Sequence, residues 1–203
     1  MNIICCIITY NDFPLIKNCI ESVINKVDKI IIVDGKYKDF PGNNDFSTDG
    51  TLEYLESIDK VKLLKLAGVG EVEKRNTYLL NLADGDVILN LDSDEALINE
   101  LPELKSDFGI LDLVDGYGRH VQKRATRFFR YRKGMEYKYC HYTMYYDNKI
   151  VNKLQKVVNP DFSFEYISSC KILHNWHLRT DERKYQKEQY YKTLIQKESG
   201  FDK

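Results

Sequence analysis

The chain has 203 residues, enough for one domain with a substantial core and too few for two full catalytic domains. Hydrophobic residues make up 43% and charged residues 30%, with 4 Pro and 11 Gly, which excludes disordered, collagen-like and disulfide-scaffold proteins. The formal net charge of -1 argues against a nucleic-acid coat protein or a membrane-surface peptide.

Membrane and export signals are weak in this sequence. The first apolar run, residues 3–8, is far shorter than the roughly 20 residues that span a bilayer, and no basic segment precedes it as in a signal peptide. The five cysteines contain no C-x-x-C pair, which favours buried thiols over a zinc site. We therefore expect a cytoplasmic protein without a transmembrane segment, with peripheral membrane attachment or the cytoplasm of a virus-infected host as open alternatives.

The first half of the chain alternates strand and helix patterns. Apolar runs predict strands at residues 3–8, 29–33, 61–66 and 86–91, and apolar residues at helical spacing predict helices at 14–24, 51–58 and 72–83. This alternation predicts an α/β fold with a mostly parallel sheet flanked by helices. Polar clusters follow three of the strands, at residues 9–11, 34 and 92–94, and we expect them to meet at one edge of the sheet.

The second half of the chain has a different residue pattern. From residue 112 onward, short aromatic and basic runs at 128–129, 137–146 and 149–151 read as strands, and residues 180–197 read as a helix. We expect a single domain over 1–203, in which 112–203 forms a small sub-domain added to 1–111.

The most informative feature is a carboxylate cluster directly after the fourth predicted strand. Asp92, Asp94 and Glu95 lie within four residues, and carboxylates this close repel one another unless a cation neutralises them. One interpretation is a divalent cation, Mn2+ or Mg2+, that bridges protein and a diphosphate. The alternative is that the carboxylates cap a helix over residues 96–101.

Five motifs in order resemble family 2 glycosyltransferases of the GT-A fold. They are I-I-T-Y-N at 7–11, I-V-D at 32–34, S-T-D-G-T at 47–51, E-K-R-N at 73–76 and the D-x-D-containing L-D-S-D-E at 91–95. The D-S-D-E form is most similar to small bacterial and phage members. The resemblance implies transfer of a hexosyl group from a nucleotide-sugar, expected to be a UDP-sugar, with inversion and with a divalent metal.

The resemblance also implies site residues. The expected nucleotide-binding residues are Thr9, Tyr10, Asn11, Asp34, Arg75, Asp92 and Ser93. Asp94 is the expected metal ligand, and His174 matches the late histidine that completes the metal or diphosphate site in many GT-A enzymes. His174 is preferred over His177, and ordinary packing beside Trp176 is the alternative for it.

The sequence departs from the family pattern at two places. Residues 35–46 form an insertion between Asp34 and the S-T-D-G-T motif, which would be either a lid or an inert loop. His141 falls where relatives carry a His-Glu pair, but Tyr142 replaces the glutamate. His141 is therefore the candidate catalytic base, with a packing role as the alternative and Asp112 and Asp115 as weaker candidates.

The near-zero net charge is a cancellation between two unlike halves. Residues 1–116 contain 22 acidic and 11 basic residues, and residues 117–203 contain 9 acidic and 19 basic residues. The basic half includes Arg127 and Arg130, the expected acceptor-binding residues, in a strip interleaved with aromatics. Such a strip suits a phosphate-bearing acceptor, whether glycan, lipid-linked or nucleic acid. The alternative is a basic face that docks on the acidic half.

Other functions remain open from the sequence. The first is a phage-type transferase that glycosylates modified DNA bases, and the second is nucleotidyl transfer on a similar sheet. The third is a nucleotide-sugar-binding module without turnover, suggested by Tyr142. The sequence specifies neither the donor sugar nor the oligomeric state.

Overall fold

The computed structural model describes residues 2–139, 143–152 and 161–199. The helices are α1 (Leu15–Val23), α2 (Thr51–Glu56), α3 (Glu71–Leu79) and α4 (Asp181–Ser199), with a 3-10 turn at Trp176–Leu178. The strands are β1 (Ile3–Thr9), β2 (Lys29–Asp34), β3 (Val61–Lys65), β4 (Val87–Asp92), β5 (Glu95–Ile98), β6 (Phe108–Asp115), β7 (His120–Arg130), β8 (Glu136–Tyr139), β9 (Thr143–Tyr146), β10 (Lys149–Ile150) and β11 (Phe164–His174). None of the helices in these segments is both long and apolar enough to cross a bilayer.

An eight-stranded sheet organises the molecule, in the order β3-β2-β1-β4-β7-β6-β11-β5. The first four strands in this order are mutually parallel. Beyond them β6 and β11 pair in parallel, while β7 and β5 pair antiparallel to their neighbours. The expected α/β class with a mostly parallel, helix-flanked sheet is confirmed.

Helices cover both faces of the parallel part, which explains its continuous apolar strands. Alternate side chains of β1, such as Ile7 and Ile8, belong to two different core clusters. One cluster includes Ile16 of α1 and Leu55 of α2, and the other includes Tyr78 of α3 and Tyr190 of α4. A strand buried on both faces needs apolar residues at every position, unlike a strand with one wet face.

The register of the parallel strands brings the predicted polar clusters together. Thr9 at the end of β1 pairs with Asp34 at the end of β2. On the other side of β1, Ile8 pairs with Asp92 at the end of β4. The expected convergence at one edge of the sheet is therefore confirmed for Thr9, Asp34 and Asp92.

Two features differ from the sequence-based expectations. The alternative with a helix over residues 96–101 is wrong, because Glu95–Ile98 form β5 and pair antiparallel with β11. The second half is also woven into the main sheet, since β7 inserts between β4 and β6. The expected division at residues 111 and 112 falls inside β6. A separate three-stranded sheet, β10-β9-β8, accounts for the remaining short strands.

The inserted loop at residues 35–46 is anchored at its start and exposed at its tip. Tyr37 and Phe40 are buried, and both rings contact Tyr190 of α4, at centroid distances of 5.7 and 5.3 Å. Residues 41–45 are exposed. A lid movement of this loop stays a prediction, and such a movement would be confined to the tip as long as the aromatic anchor holds.

Gly35, which begins the insertion, offers a test of how tightly the sheet edge is built. It has φ +148°, and a Cβ at this position would collide with the Leu66 carbonyl. Gly85 also has positive φ, +86°, but a Cβ there has open space. Both Gly→Ala changes carry the backbone cost of about 1–2 kcal/mol, and the collision adds to it at Gly35. We expect Gly35→Ala to lower the free energy of unfolding by at least about 3 kcal/mol.

Urea denaturation of the two variants measures the difference between them. Gly85→Ala serves as the matched control because it shares the backbone strain without the collision. Equal midpoints for the two variants would contradict the packing of Gly35 against the β3 end.

Candidate functional site

Five carboxylates gather at the edge of the sheet where the parallel strands end. All are buried except Asp92, whose side chain is 32% exposed. The five residues are Asp12, Asp34, Asp92, Asp94 and Glu95. Ionised carboxylates in such a buried position are stable only when cations or hydrogen-bond donors compensate them, and each of these has such partners.

Asp94 lies between a histidine and an arginine from the C-terminal region. Its Oδ2 is 3.1 Å from His174 Nε2 and 2.6 Å from Arg179 Nη2. Asn175, which follows the end of β11, also donates its backbone N–H to the Asp94 carbonyl at 2.8 Å. The β11 end is thus fastened directly to the D-S-D-E segment.

The contacts of Asp94 shift its acidity and that of His174 in opposite directions. Burial opposes ionisation of Asp94, but the His174 hydrogen bond and the Arg179 charge outweigh it and lower the Asp94 pKa. Burial likewise opposes a charge on His174, yet the bond to Asp94 and the nearby carboxylates raise the His174 pKa above its usual value. Each of the two groups thus stabilises the charged form of the other.

Two arginines hold Asp92 and Glu95. Arg75 Nη2 donates to Asp92 Oδ1 at 3.0 Å. Arg127 forms two hydrogen bonds of 3.3 Å to Glu95 and lies 3.7 Å from Asp92. Burial raises the pKa of Glu95 to about 7 against the opposing charge of Arg127. Asp92 is thus the accessible carboxylate of the site, oriented from beneath by buried guanidinium groups.

Asp12, which follows the T-Y-N motif, is the most heavily compensated carboxylate. Ser93 Oγ donates to its Oδ2 at 2.6 Å, and Arg183 and Lys187 of α4 lie 3.3 and 3.5 Å from it. Burial opposes ionisation, but Lys187, Arg183 and Arg179 lower the pKa of Asp12 to about 2. Ser93, an expected nucleotide-binding residue, is itself buried and bound to Asp12.

Asp34 is fully buried and bonded within the protein. It accepts hydrogen bonds from the backbone N–H and the hydroxyl of Ser47. Lys74, also buried, donates to the carbonyls of Thr9 and Gly35. Burial lowers the Lys74 pKa to about 7 despite the attraction of Asp34. Asp34 thus ties the β2 end to the S-T-D-G-T motif in the ligand-free structure.

The S-T-D-G-T motif also clamps the loop after β1. Asn11 donates its backbone N–H to Ser47 Oγ at 2.7 Å and accepts from Thr48 N at 2.8 Å. Asp49 Oδ2 accepts from Phe13 N at 2.8 Å. Asn11 has φ +48°, a conformation that asparagine tolerates better than most residues. The loop that carries the expected base-binding residues is therefore fixed from both ends.

A cleft of about 410 Å³ opens beside these residues. It lies between the loop after β1, the tip of the inserted loop and the start of α4. Its polar lining includes Asn11, Asp12, Asn43, Asp49, Arg179 and Arg183. Tyr10 also lines it, and its hydroxyl bonds to the Asn44 carbonyl at 2.7 Å.

The residues fit a divalent cation only as a two-ligand site. No three His, Cys, Asp or Glu side chains among the described residues are arranged to hold a metal ion. Asp94 and His174 do bring a carboxylate and an imidazole together. This pair suits a cation whose other ligands are phosphate oxygens, provided that Arg179 turns from Asp94 to the phosphate.

The expected acceptor and base residues have less direct support. Arg127 is buried beneath the carboxylates, and Arg130 donates to the Leu104 carbonyl at 3.3 Å. His141 lies outside the described residues. Asp112 accepts from Tyr166 at 2.6 Å, and Asp115 pairs with Arg119 at 2.7 Å. The acceptor and base roles of these residues stay predictions.

The structure adds site residues that the sequence reasoning missed. Asp12 directly follows the T-Y-N motif, and its position after a parallel strand could have marked it. The cations of the C-terminal region carry a spacing signal, because each lies four positions after the one before it. The added residues are Asp12, Ser47, Lys74, Arg179, Arg183 and Lys187.

Comparison with known proteins matches this architecture to one family. An uncharacterized glycosyltransferase of Rickettsia felis is 34% identical over 99 residues, which are 48% of this chain and 30% of the relative. The chain thus spans less than a third of that relative.

Solved structures of S. aureus TarS align with part of this chain. The complex of TarS residues 1–349 with UDP has a TM-score of 0.48 at 24% identity, covering 61% of this chain and 38% of that TarS chain. The complex with UDP-GlcNAc has a TM-score of 0.47 at 25% identity, covering 61% and 37%. The sequence model of glycosyl transferase family 2 matches residues 4–173, from β1 to the last residues of β11, and the chain therefore belongs to glycosyl transferase family 2.

Proposed function

We propose that this chain transfers a hexosyl group from a UDP-sugar to an acceptor hydroxyl with inversion at the anomeric carbon. The observation that carries the proposal is the sheet edge beside the cleft. There Thr9, Asp34, Asp92 and Asp94, all within the family match, meet, and His174 pairs with Asp94. Ligands of open α/β sheets bind outside the carboxyl ends of the strands.

The loop residues and Asp92 would bind the nucleoside. Asp92 is the carboxylate with exposed surface, so it can accept hydrogen bonds from ribose hydroxyls. Arg75 and Arg127 neutralise part of its charge and fix its orientation. Asp34, buried against Ser47, would reach the base only through a shift of the S-T-D-G-T segment.

Asp94 and His174 would hold Mn2+ or Mg2+ together with the donor diphosphate. When bound, such an ion supplies positive charge to the nucleoside-diphosphate leaving group. Hydrogen-bond donors and fixed cations aimed at this developing charge provide the same kind of stabilisation. Arg179 is placed to contribute, because its guanidinium already lies against Asp94.

Inversion in this proposal follows from a single displacement. The acceptor hydroxyl oxygen bonds to the anomeric carbon while the bond from that carbon to the β-phosphate oxygen breaks. UDP leaves with the electron pair, and the hydroxyl proton passes to a base, for which His141 is the proposed residue from its motif position. General-base catalysis of this kind requires a group that is unprotonated near neutral pH, as imidazole is.

The ion pairs of the basic strip favour the interpretation that it docks on the acidic half over the interpretation that it binds a nucleic-acid acceptor. Arg127 pairs with Glu95 and Arg132 with Asp107, both within the acidic half. The Arg127 side chain is only 7% exposed, so the phosphates of a duplex could not reach it without opening the site. The pairs therefore support a non-nucleic-acid acceptor, with Arg130 as the proposed acceptor contact.

The first prediction concerns the donor. Titration calorimetry of UDP with Mn2+ present should show saturable binding, with GDP and CDP as matched comparisons and a weaker response for both. Slow hydrolysis of a UDP-sugar should accompany binding, because water can replace the acceptor. Binding without hydrolysis would favour the module without turnover, and no binding of any nucleoside diphosphate would contradict the proposal.

The second prediction concerns the metal site. Asp94→Asn keeps the side-chain size but removes the charge that would face the cation, so the gain in UDP affinity on adding Mn2+ should fall at least about tenfold. Glu21→Gln is the control, since Glu21 is exposed on α1 and pairs with Lys17. An unchanged Mn2+ effect in Asp94→Asn would show that Asp94 is not a metal ligand.

A further inference from the structure

Three cationic side chains from the C-terminal region lie in a row over the carboxylates of the site. Arg179 directly follows the 3-10 turn, and Arg183 and Lys187 lie on α4 at intervals of four residues. Residues spaced by four lie on one side of a helix. We call Arg179, Arg183 and Lys187 the cation row.

The cation row is held inside the protein. Its side chains are only 13%, 12% and 12% exposed, although long cationic residues usually reach into solvent. Arg183 lies 4.7 Å from the centre of the Phe40 ring and 5.8 Å from that of Tyr10, and it donates to the Tyr10 carbonyl. These contacts fix the guanidinium at the wall of the cleft.

The charges within the row do not balance. The three cations face two carboxylates, Asp94 and Asp12. This surplus refers to the direct ion pairs of the row, and Arg179 and Arg183 line the cleft together with Asp12, Asp49 and Glu182. A buried positive surplus favours an anionic ligand.

We propose that the cation row binds the diphosphate of the donor and that Asp12 occupies part of this site while no ligand is bound. On donor binding, Arg183 and Lys187 exchange the Asp12 carboxylate for phosphate oxygens. Guanidinium groups bind phosphate with paired hydrogen bonds, and an ammonium group binds it as a point charge. The proposal rests on the proposed function for the identity of the ligand.

The test compares ligands with and without phosphate, in EDTA so that no divalent cation contributes. Calorimetry measures the affinities of UDP, uridine and inorganic pyrophosphate for the full chain. Arg183→Gln should weaken the binding of UDP and of pyrophosphate by about tenfold or more, the effect of one charge-assisted hydrogen bond. The affinity for uridine should stay unchanged. Lys184→Gln is the control, because Lys184 lies on the same helix and pairs with Asp181.

Asp12→Asn gives a second readout of opposite sign. If Asp12 competes with phosphate for the cation row, its neutralisation should strengthen UDP binding several-fold. If Asp12 and Arg183 merely hold the fold, the same change should weaken UDP and uridine alike, which would overturn the inference. Thermal melts of each variant establish that it is folded.

The outcomes separate this inference from the proposed function. Parallel losses of UDP and uridine in Arg183→Gln overturn the role of the cation row and leave UDP binding itself intact. If the wild-type chain binds no nucleoside diphosphate, the proposed function fails. In that case, weaker pyrophosphate binding by Arg183→Gln would still support a diphosphate site on the cation row. Unchanged pyrophosphate binding by this variant would overturn that site.

Discussion

Compensation of buried carboxylates by cations from distant parts of the chain is the constraint on which this structure depends. Burying an ionised carboxylate costs several kcal/mol unless a partner offsets it. Asp12 and Asp94 find their partners in Arg179, Arg183 and Lys187, more than 80 residues away in sequence. The opposite charges of the two halves therefore serve first to pair with each other and not to bind two separate ligands. They are complementary parts of one buried charge network, and neither half would be stable at this edge alone.

This compensation alters what the carboxylate cluster says about a metal. Repulsion among Asp92, Asp94 and Glu95 suggested a divalent cation when the residues were considered alone, but Arg75 and Arg127 already offset much of that repulsion. The case for a metal now depends on one specific pairing, the carboxylate of Asp94 with the imidazole of His174. The argument now rests on which atoms can coordinate a metal ion rather than on how many negative charges lie close together. It identifies one carboxylate and one imidazole as the ligands.

The sequence was sufficient for the parallel half of the fold and insufficient for the rest, for a physical reason. Alternating apolar runs and helices determine parallel strands, and parallel strands bring their carboxyl ends to one edge, so Thr9, Asp34 and Asp92 could be placed together. The insertion of β7 between β4 and β6 depends on pairing across long sequence separations, which local pattern does not encode.

Glu95 shows the same limit of local sequence patterns. A carboxylate before residues 96–101 could cap a helix there, but residues 95–98 pair with β11 and form a strand instead. Arg127 belonged to a basic strip in sequence, and only the fold turns it inward onto Glu95.

The charge network also links stability to the proposed chemistry. Cations that stabilise a leaving group are effective when they are in position before the charge develops, since no reorganisation is then needed. A row of free buried cations would destabilise the empty protein by mutual repulsion. Carboxylates that pair with them remove this cost while keeping the cations fixed at the cleft, as Asp12 does for Arg183 and Lys187. On this proposal the ligand-free protein is stable because Asp12 occupies the place of a phosphate, and the donor binds by taking over a position already built for negative charge.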